Sequence, residues 1–122
     1  MTDEIRIDDL LLRTIIGING DERHDRQDVL VSLVLHVDTR RAGETDNIDD
    51  APVNYRTLAK RVIKTVEGGD FFLVERLAAV IADLCLEEPG VKRVRVTVQK
   101  PGALRFARSV GITIERERAG AR

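Results

Sequence analysis

The chain has 122 residues, of which 34% are charged and 43% are apolar. This composition is typical of a single folded domain with its own core, and it excludes a disordered chain. Lysine and arginine number 20 against 21 acidic residues, so the net charge of −1 gives no indication of nucleic-acid binding. We identify neither a signal peptide nor a membrane-spanning apolar run, and we therefore expect a cytoplasmic protein without a membrane anchor.

Two strands are predicted in the first third of the chain. Residues 4–18 alternate apolar and polar side chains, with a bulge or bend predicted at Asp8-Asp9. Residues 27–39 place five apolar side chains on one face: Val29, Val31, Leu33, Leu35 and Val37. Leu30 and Val34 are apolar on the other face, and such long strands with open edges favour pairing with another copy of the chain. A monomer whose charged residues protect those edges is the alternative.

Two helices are predicted next. Asn54 can cap the first helix, whose core-facing side chains are Leu58, Ala59, Val62, Ile63 and Val66, and Gly68-Gly69 ends it. The second helix is predicted from about Phe72 to Glu88, before Pro89-Gly90. Cys85, the only cysteine, falls on its apolar side, so we expect a buried, inert thiol and a reducing environment.

Two more strands are predicted at 91–99 and 105–117, where valine or isoleucine alternates with polar residues. The element order is then ββααββ, which predicts an α+β domain over residues 1–122. We expect an antiparallel sheet with both helices packed on one face.

One carboxylate interrupts the apolar run "FFLVERLAAVIADL" (71–84). On a helix, Glu75 lies in line with Ala78, Ala79, Ala82 and Leu86. It therefore begins an apolar stripe instead of joining the polar side of the helix. A solvated or salt-bridged glutamate is the simpler interpretation, because charged residues on helices are mostly surface features.

Familiar catalytic patterns do not fit this sequence. The two histidines, His24 and His36, and Cys85 do not give the ligand set of a zinc site or a nucleophilic triad, and no phosphate-binding glycine motif is present. We therefore expect neither a metal nor a cofactor. What remains is a set of polar side chains near element ends: Glu22, Tyr55, Glu75 and Lys100.

These four residues lie in segments that resemble one family. The segments are "TIIGINGDE" with Glu22, "NYRTLAKRVIKTVEGGDFFLVERLA" with Tyr55 and Glu75, and "KPGALRFARSVGITIER" with Lys100. They are similar to the dihydroneopterin aldolase family, which includes dihydroneopterin triphosphate 2'-epimerase. The resemblance covers residues 4 to about 117.

The resemblance implies a tunnelling fold, assembled as a homo-tetrameric ring or an octamer of two rings, with active sites between subunits and Tyr55 supplied by the neighbour. It implies that Glu75 binds the pterin, together with backbone N–H groups near Leu73 and Val74. It assigns acid–base catalysis to Lys100, with Tyr55 assisting and Glu22 holding the substrate hydroxyls. The implied reaction is retro-aldol cleavage of the side chain of 7,8-dihydroneopterin or its triphosphate.

The branch of the family is less sharply indicated. "LRT", "RQD", "NYRT" and "ALRFARSV" are similar to the epimerase branch, whereas "KPG" and "VGITIER" are similar to the aldolase branch. We favour epimerisation, with folate-pathway aldolase as the alternative. Arg105 or Arg108 could meet a triphosphate, or could be a surface arginine. A pterin-binding module without chemistry and a purely structural ring-forming domain are further alternatives.

Overall fold

The computed structural model describes residues 3–119. Its strands are β1 (Asp3–Ile16), β2 (Gln27–Val37), β3 (Asp70–Phe71), β4 (Arg93–Pro101) and β5 (Ser109–Glu117). Its α-helices are α1 (Arg40–Thr45), α2 (Tyr55–Glu67) and α3 (Val74–Leu86), and short 3₁₀ turns occupy Asp21–Arg23 and Ile48–Asp50. The predicted domain includes residues 1–2 and 120–122, which lie outside the described residues.

The strands form one sheet in the order β3-β1-β2-β4-β5. The four long strands pair antiparallel with their neighbours, as predicted. The expectation of four strands was wrong by one, because β3 pairs parallel with the end of β1 over only two residues. A two-residue strand is too short to produce an alternating sequence pattern. The predicted α+β class is confirmed.

The core lies between one face of this sheet and the helices α2 and α3. All five apolar side chains predicted for one face of β2 are fully buried. In β1 the register shifts between Ile7 and Leu10, where Asp9 has a φ of 54°. This confirms the predicted bulge, which keeps the apolar residues on both sides of it directed toward the core.

Helix α2 begins and ends where its sequence predicts. The side chain of Asn54 accepts hydrogen bonds from the N–H groups of Arg56 and Thr57 at 3.1 and 3.2 Å, and Gly68 caps the other end. Helix α3 is shorter than predicted, since its first residue is Val74. The short helix α1 was not predicted, because its six residues contain no buried side chain and hence no apolar stripe.

The last strand also starts later than predicted. Residues 102–108 form turns instead, with Gly102 and Phe106 at φ values of 69° and 73°. On the sheet face away from the helices, Arg93 and Arg95 are exposed, as expected for a face that meets water. Within residues 3–119, no helix is long and apolar enough to cross a membrane.

Candidate active site

The loop between β1 and β2 carries Glu22 inside its 3₁₀ turn. The carboxylate accepts hydrogen bonds from the backbone N–H of Asn19 at 3.1 Å, from Nε2 of Gln27 at 3.4 Å and from Nζ of Lys100 at 2.9 Å. Glu22 is therefore held by its own loop, by the start of β2 and by the end of β4. Its side chain is mostly buried, at 23% exposure.

Gly17 allows this close approach. A Cβ placed on Gly17 would lie 2.2 Å from Oε1 of Glu22, and its φ of 135° is a conformation that other residues rarely adopt. Any side chain at this position would push the carboxylate away from Lys100.

These contacts keep Glu22 ionised. The hydrogen bond from Lys100, followed by that from the Asn19 N–H, lowers the pKa of Glu22 from 4.5 to about 2, against a smaller opposing effect of burial. Three donors stabilise the carboxylate more than the neutral acid. The Lys100 ammonium group has little contact with solvent, at 12% side-chain exposure. Glu22 and Lys100 thus form an ion pair already assembled in the free chain.

The N-terminus of α3 is built differently. Its capping residue is Leu73, which has no side-chain acceptor for the first N–H groups of the helix. Those groups have no partner inside the helix either. Glu75 lies in this first turn and is exposed. Among residues 3–119 its carboxylate has no protein hydrogen bond or ion pair, which leaves one acceptor and several donors available to a ligand.

The Glu22–Lys100 ion pair and the N-terminus of α3 line one cavity of about 280 Å³. Five of the six residues predicted for the site contribute to it: Glu22, Leu73, Val74, Glu75 and Lys100. The remaining walls come from Ile16, Gly17, Ile18, Phe72, Ala103, Leu104 and Val110. The arrangement joins a charged pair to a largely apolar space that ends at a helix N-terminus.

Tyr55 is the predicted site residue that does not line this cavity. It begins α2, is 63% exposed and lines a separate cavity of about 340 Å³ with Ile48 and Asn54. Within one chain, Tyr55 therefore has no part in the cavity that holds Lys100.

The rim of the cavity that Lys100 lines is apolar and exposed. Ile18 is 70% exposed and Leu104 58%, and Phe106, two residues after Leu104 in the chain, is 97% exposed. Exposed apolar clusters of this kind usually mark contact surfaces. Arg105 and Arg108 are exposed on the same turn segment, with Arg105 5.0 Å from the centre of the Phe106 ring.

Three residues at the site were not predicted from the sequence: Gly17 lines the cavity, Gln27 donates to Glu22, and Arg23 donates to the carbonyl oxygen of Gly17. Gln27 also donates to the carbonyl oxygen of Ile16 at 2.7 Å, so it ties the ends of β1 and β2 together beside Glu22. The segment "RQD" is similar to the epimerase branch, but no local pattern assigns a role to its glutamine. Within residues 3–119, no three side chains of the His, Cys, Asp or Glu type are grouped to hold a metal ion.

Comparison with known proteins bears on this geometry. Residues 5–115 match the family model described as dihydroneopterin aldolase. A dihydroneopterin triphosphate 2'-epimerase from Pseudomonas aeruginosa is 46% identical over 90% of this chain and 89% of its own length. The chain belongs to the dihydroneopterin aldolase family.

The other branch of the family is also represented among the relatives. The dihydroneopterin aldolase of Escherichia coli is 35% identical over 93% of both chains. A crystal structure of Escherichia coli dihydroneopterin aldolase in complex with neopterin superimposes with a TM-score of 0.89 over 93% of this chain and 98% of that one. The family and the tunnelling fold predicted from the sequence are confirmed, and the relatives include enzymes of both predicted activities.

Proposed function

We propose that this protein is a pterin side-chain aldolase and epimerase that acts on 7,8-dihydroneopterin or its triphosphate, with 2'-epimerisation as the main outcome. The observation that carries the proposal is the Glu22–Lys100 ion pair, 2.9 Å long, in the same cavity as the unpaired Glu75 carboxylate. The 46% identity to an epimerase supports epimerisation over cleavage as the main outcome.

In this proposal the pterin ring binds at the N-terminus of α3. A dihydropterin presents a ring N–H and an exocyclic NH₂ side by side, and the Glu75 carboxylate can accept from both. Such charge-assisted bonds are stronger than neutral ones. Backbone N–H groups of the first helical turn, near Leu73 and Val74, donate to the carbonyl oxygen of the ring.

With the ring bound there, the side chain of the pterin extends to Lys100. When the substrate hydroxyl groups become the partners of Glu22, the Lys100 ammonium group loses a proton to water, and the resulting neutral amine removes the proton of the 2'-hydroxyl as the bond between carbons 1' and 2' breaks. The electron pair of that bond moves into the C=N bond of the ring, which gives an enamine, while carbon 2' leaves as the aldehyde of a two-carbon fragment. Glu22 holds the hydroxyl groups and the Lys100 side chain in position.

Two outcomes follow from the same intermediate. If the aldehyde leaves, the ammonium ion of Lys100 protonates carbon 1' and the product is 6-hydroxymethyl-7,8-dihydropterin. If the aldehyde is retained, turned over and added back, the 2' centre is inverted and a monapterin forms. A barrier difference of about 1.4 kcal/mol changes the ratio of the outcomes tenfold. We propose that Arg105 or Arg108, exposed beside the cavity, meets the phosphates of the triphosphate substrate.

A folate-pathway aldolase is the second candidate. The "KPG" segment at 100–102 favours it, as does the 35% identity to the Escherichia coli aldolase. In that case escape of the aldehyde is faster than its return.

The assembly is proposed to be a homo-tetrameric ring or an octamer. Strand β5 forms one edge of the sheet, and β1 is covered by β3 only at Ile15 and Ile16. Both edges can therefore pair with another chain. The exposed Tyr55 would enter the neighbour's cavity and assist proton transfer there. The predicted single domain, the cytoplasmic location and the reaction without metal or cofactor remain part of this proposal.

Product analysis tests the proposal. The protein is incubated with 7,8-dihydroneopterin and, separately, with its triphosphate, and the products are separated by chromatography. We expect monapterin from both and faster formation from the triphosphate. Hydroxymethyldihydropterin alone, without preference for the triphosphate, would assign the protein to the aldolase branch. Binding of pterin without turnover would leave only a binding module, and no binding would leave a structural domain.

A further inference from the structure

Arg23 follows Glu22 in the 3₁₀ turn and connects it to the chain that leads into α3. Its Nη1 donates to the carbonyl oxygens of Gly17 at 3.1 Å and of Phe71 at 2.7 Å. Its Nη2 forms an ion pair with Asp70. The guanidinium lies 4.0 Å from the centre of the Phe72 ring, a cation–π distance. With 20% exposure, most of this side chain is buried.

These contacts join the two halves of the cavity. Gly17 and Glu22 belong to the half with the ion pair, whereas Asp70 to Phe72 lead directly to Leu73, the cap of α3. The other direct links between the two segments are the pairing of β1 with β3 and the hydrogen bond from Gly17 N–H to Phe71 O at 3.1 Å. Arg23 adds two hydrogen bonds and an ion pair to these links between the two halves.

An arginine suits this task better than a lysine. The planar guanidinium can donate to two carbonyl groups and a carboxylate at fixed angles while its face stacks on an aromatic ring, whereas an ammonium group cannot stack in this way. Phe72 is 61% exposed and lines the cavity, so the contact with Arg23 also fixes the position of a wall of the cavity.

We propose that Arg23 is a positioning residue that sets the distance between the Glu22–Lys100 pair and the pterin anchor at α3, and thereby the share of aldehyde that is retained. This inference rests on the proposed function. If the two halves are loosely joined, Glu22 holds the two-carbon fragment less well while the ring stays bound at Glu75. More aldehyde then escapes, and the product ratio shifts from monapterin to hydroxymethyldihydropterin.

The test compares Arg23→Met, Arg23→Lys and Asp70→Asn with wild type. The matched control is Arg13→Met, because Arg13 also bridges a carboxylate, that of Asp28, and a carbonyl oxygen, that of Arg26, but neither of these partners lines the cavity, whereas Arg23 is bonded to Gly17, which does. The readouts are the product ratio, kcat and KM. The ratio is informative because it does not depend on the fraction of folded protein, so a loss of stability alone leaves it unchanged.

For Arg23→Met we expect kcat to fall about tenfold, since small misplacements of reacting groups are costly, with a smaller change in KM and a product ratio shifted toward the cleaved product. Arg23→Lys should give intermediate values, and Arg13→Met should match wild type. Should Arg23→Met fail to fold, Asp70→Asn, which removes only the ion pair, should still shift the ratio in the same direction.

Two results would overturn the inference in distinguishable ways. If wild type turns over the pterin but Arg23→Met and Asp70→Asn keep its product ratio and kcat, Arg23 has no positioning role and the proposed function stands. If wild type converts neither pterin substrate, the proposed function fails and this inference fails with it.

Discussion

The two halves of the cavity differ in how much of their polar chemistry is satisfied within the chain. At one end, Glu22 accepts three hydrogen bonds and is paired with Lys100 before any ligand binds. At the other end, Glu75 has no protein partner among residues 3–119, and a leucine caps the helix without an acceptor. Unpaired polar groups that a ligand must desolvate are costly unless that ligand pairs with them.

Under the proposed function, this difference separates proton transfer from recognition of the ring. The paired half keeps charged groups at fixed positions, which is what proton transfer requires. The unpaired half offers donors and an acceptor that only a complementary ring can satisfy, which is what recognition requires. Substitutions in one half should then change chemistry, and substitutions in the other should change binding.

The largest effect is expected from Lys100→Ala. If the amine transfers the protons, turnover should fall by about 10²-fold or more while the pterin still binds. Steady-state kinetics and a binding titration measure the two quantities, with Lys64→Ala on the exposed side of α2 as the control. Near-normal turnover in the Lys100 variant would assign the proton transfer to another group.

Glu75→Ala should weaken binding of the pterin by about 2–4 kcal/mol, because the ring donors lose a charged acceptor. The exposed position of Glu75 predicts an unchanged melting temperature. Titration calorimetry measures the affinity, and Asp83→Ala, exposed on the same helix, is the control. A folded variant with wild-type affinity would return Glu75 to the role of a solvated surface glutamate.

Tyr55→Phe should lower turnover by about tenfold, since the hydroxyl assists proton transfer without being its main agent. If Tyr55 acts in the neighbour's cavity, mixing Tyr55→Phe chains with Lys100→Ala chains should restore full activity to about a quarter of the sites of a randomly mixed ring. Sedimentation should show four or eight copies of the 13.7 kDa chain. No recovery on mixing, or a species of 13.7 kDa alone, would contradict the shared site.

The smallest effect concerns stability. The pKa of Glu22 is about 2 in the folded chain against an ordinary 4.5, so its charge stabilises the fold above pH 4.5 and that contribution is lost as the pH falls toward 2. Glu22→Gln should therefore unfold more easily by about 1 kcal/mol at pH 7. Urea unfolding at several pH values should show the difference from wild type shrinking below pH 4.5, whereas Glu44→Gln, at an exposed position, should show none. A difference independent of pH would mean that the ion pair does not stabilise the fold.

The sequence predicted those features that depend on local pattern. Alternation identified the buried face of β2 and the bulge at Asp8-Asp9, and the capping preference of Asn54 located the start of α2. The family resemblance supplied Glu22, Lys100 and Glu75 as one set, and the structure brings these three to a single cavity. Residues 25 to 78 positions apart in a chain carry no local pattern that would show such a contact.

Other features depend on contacts that no local pattern encodes. Strand β3 forms because Asp70 and Phe71, which follow α2 in the chain, lie beside the end of β1. Helix α1 has no buried side chain, so no apolar pattern in the sequence predicts it. The bonds of Arg23 reach residues 47 and 48 positions away. In sequence, Arg23 was one of 20 basic residues without a distinguishing pattern. Its contacts depend on where the fold places backbone carbonyl groups that are distant in sequence.

Single-turnover kinetics with 7,8-dihydroneopterin test the central claim most directly, because one titration yields both the dissociation constant and the rate constant of the chemical step. The separation of the two halves predicts that Glu75→Ala raises the dissociation constant while the rate constant at saturation stays close to wild type. It predicts the reverse for Lys100→Ala, a rate constant lowered about 10²-fold or more at a nearly unchanged dissociation constant. Equal changes of both constants in both variants would contradict the division between a catalytic and a binding half.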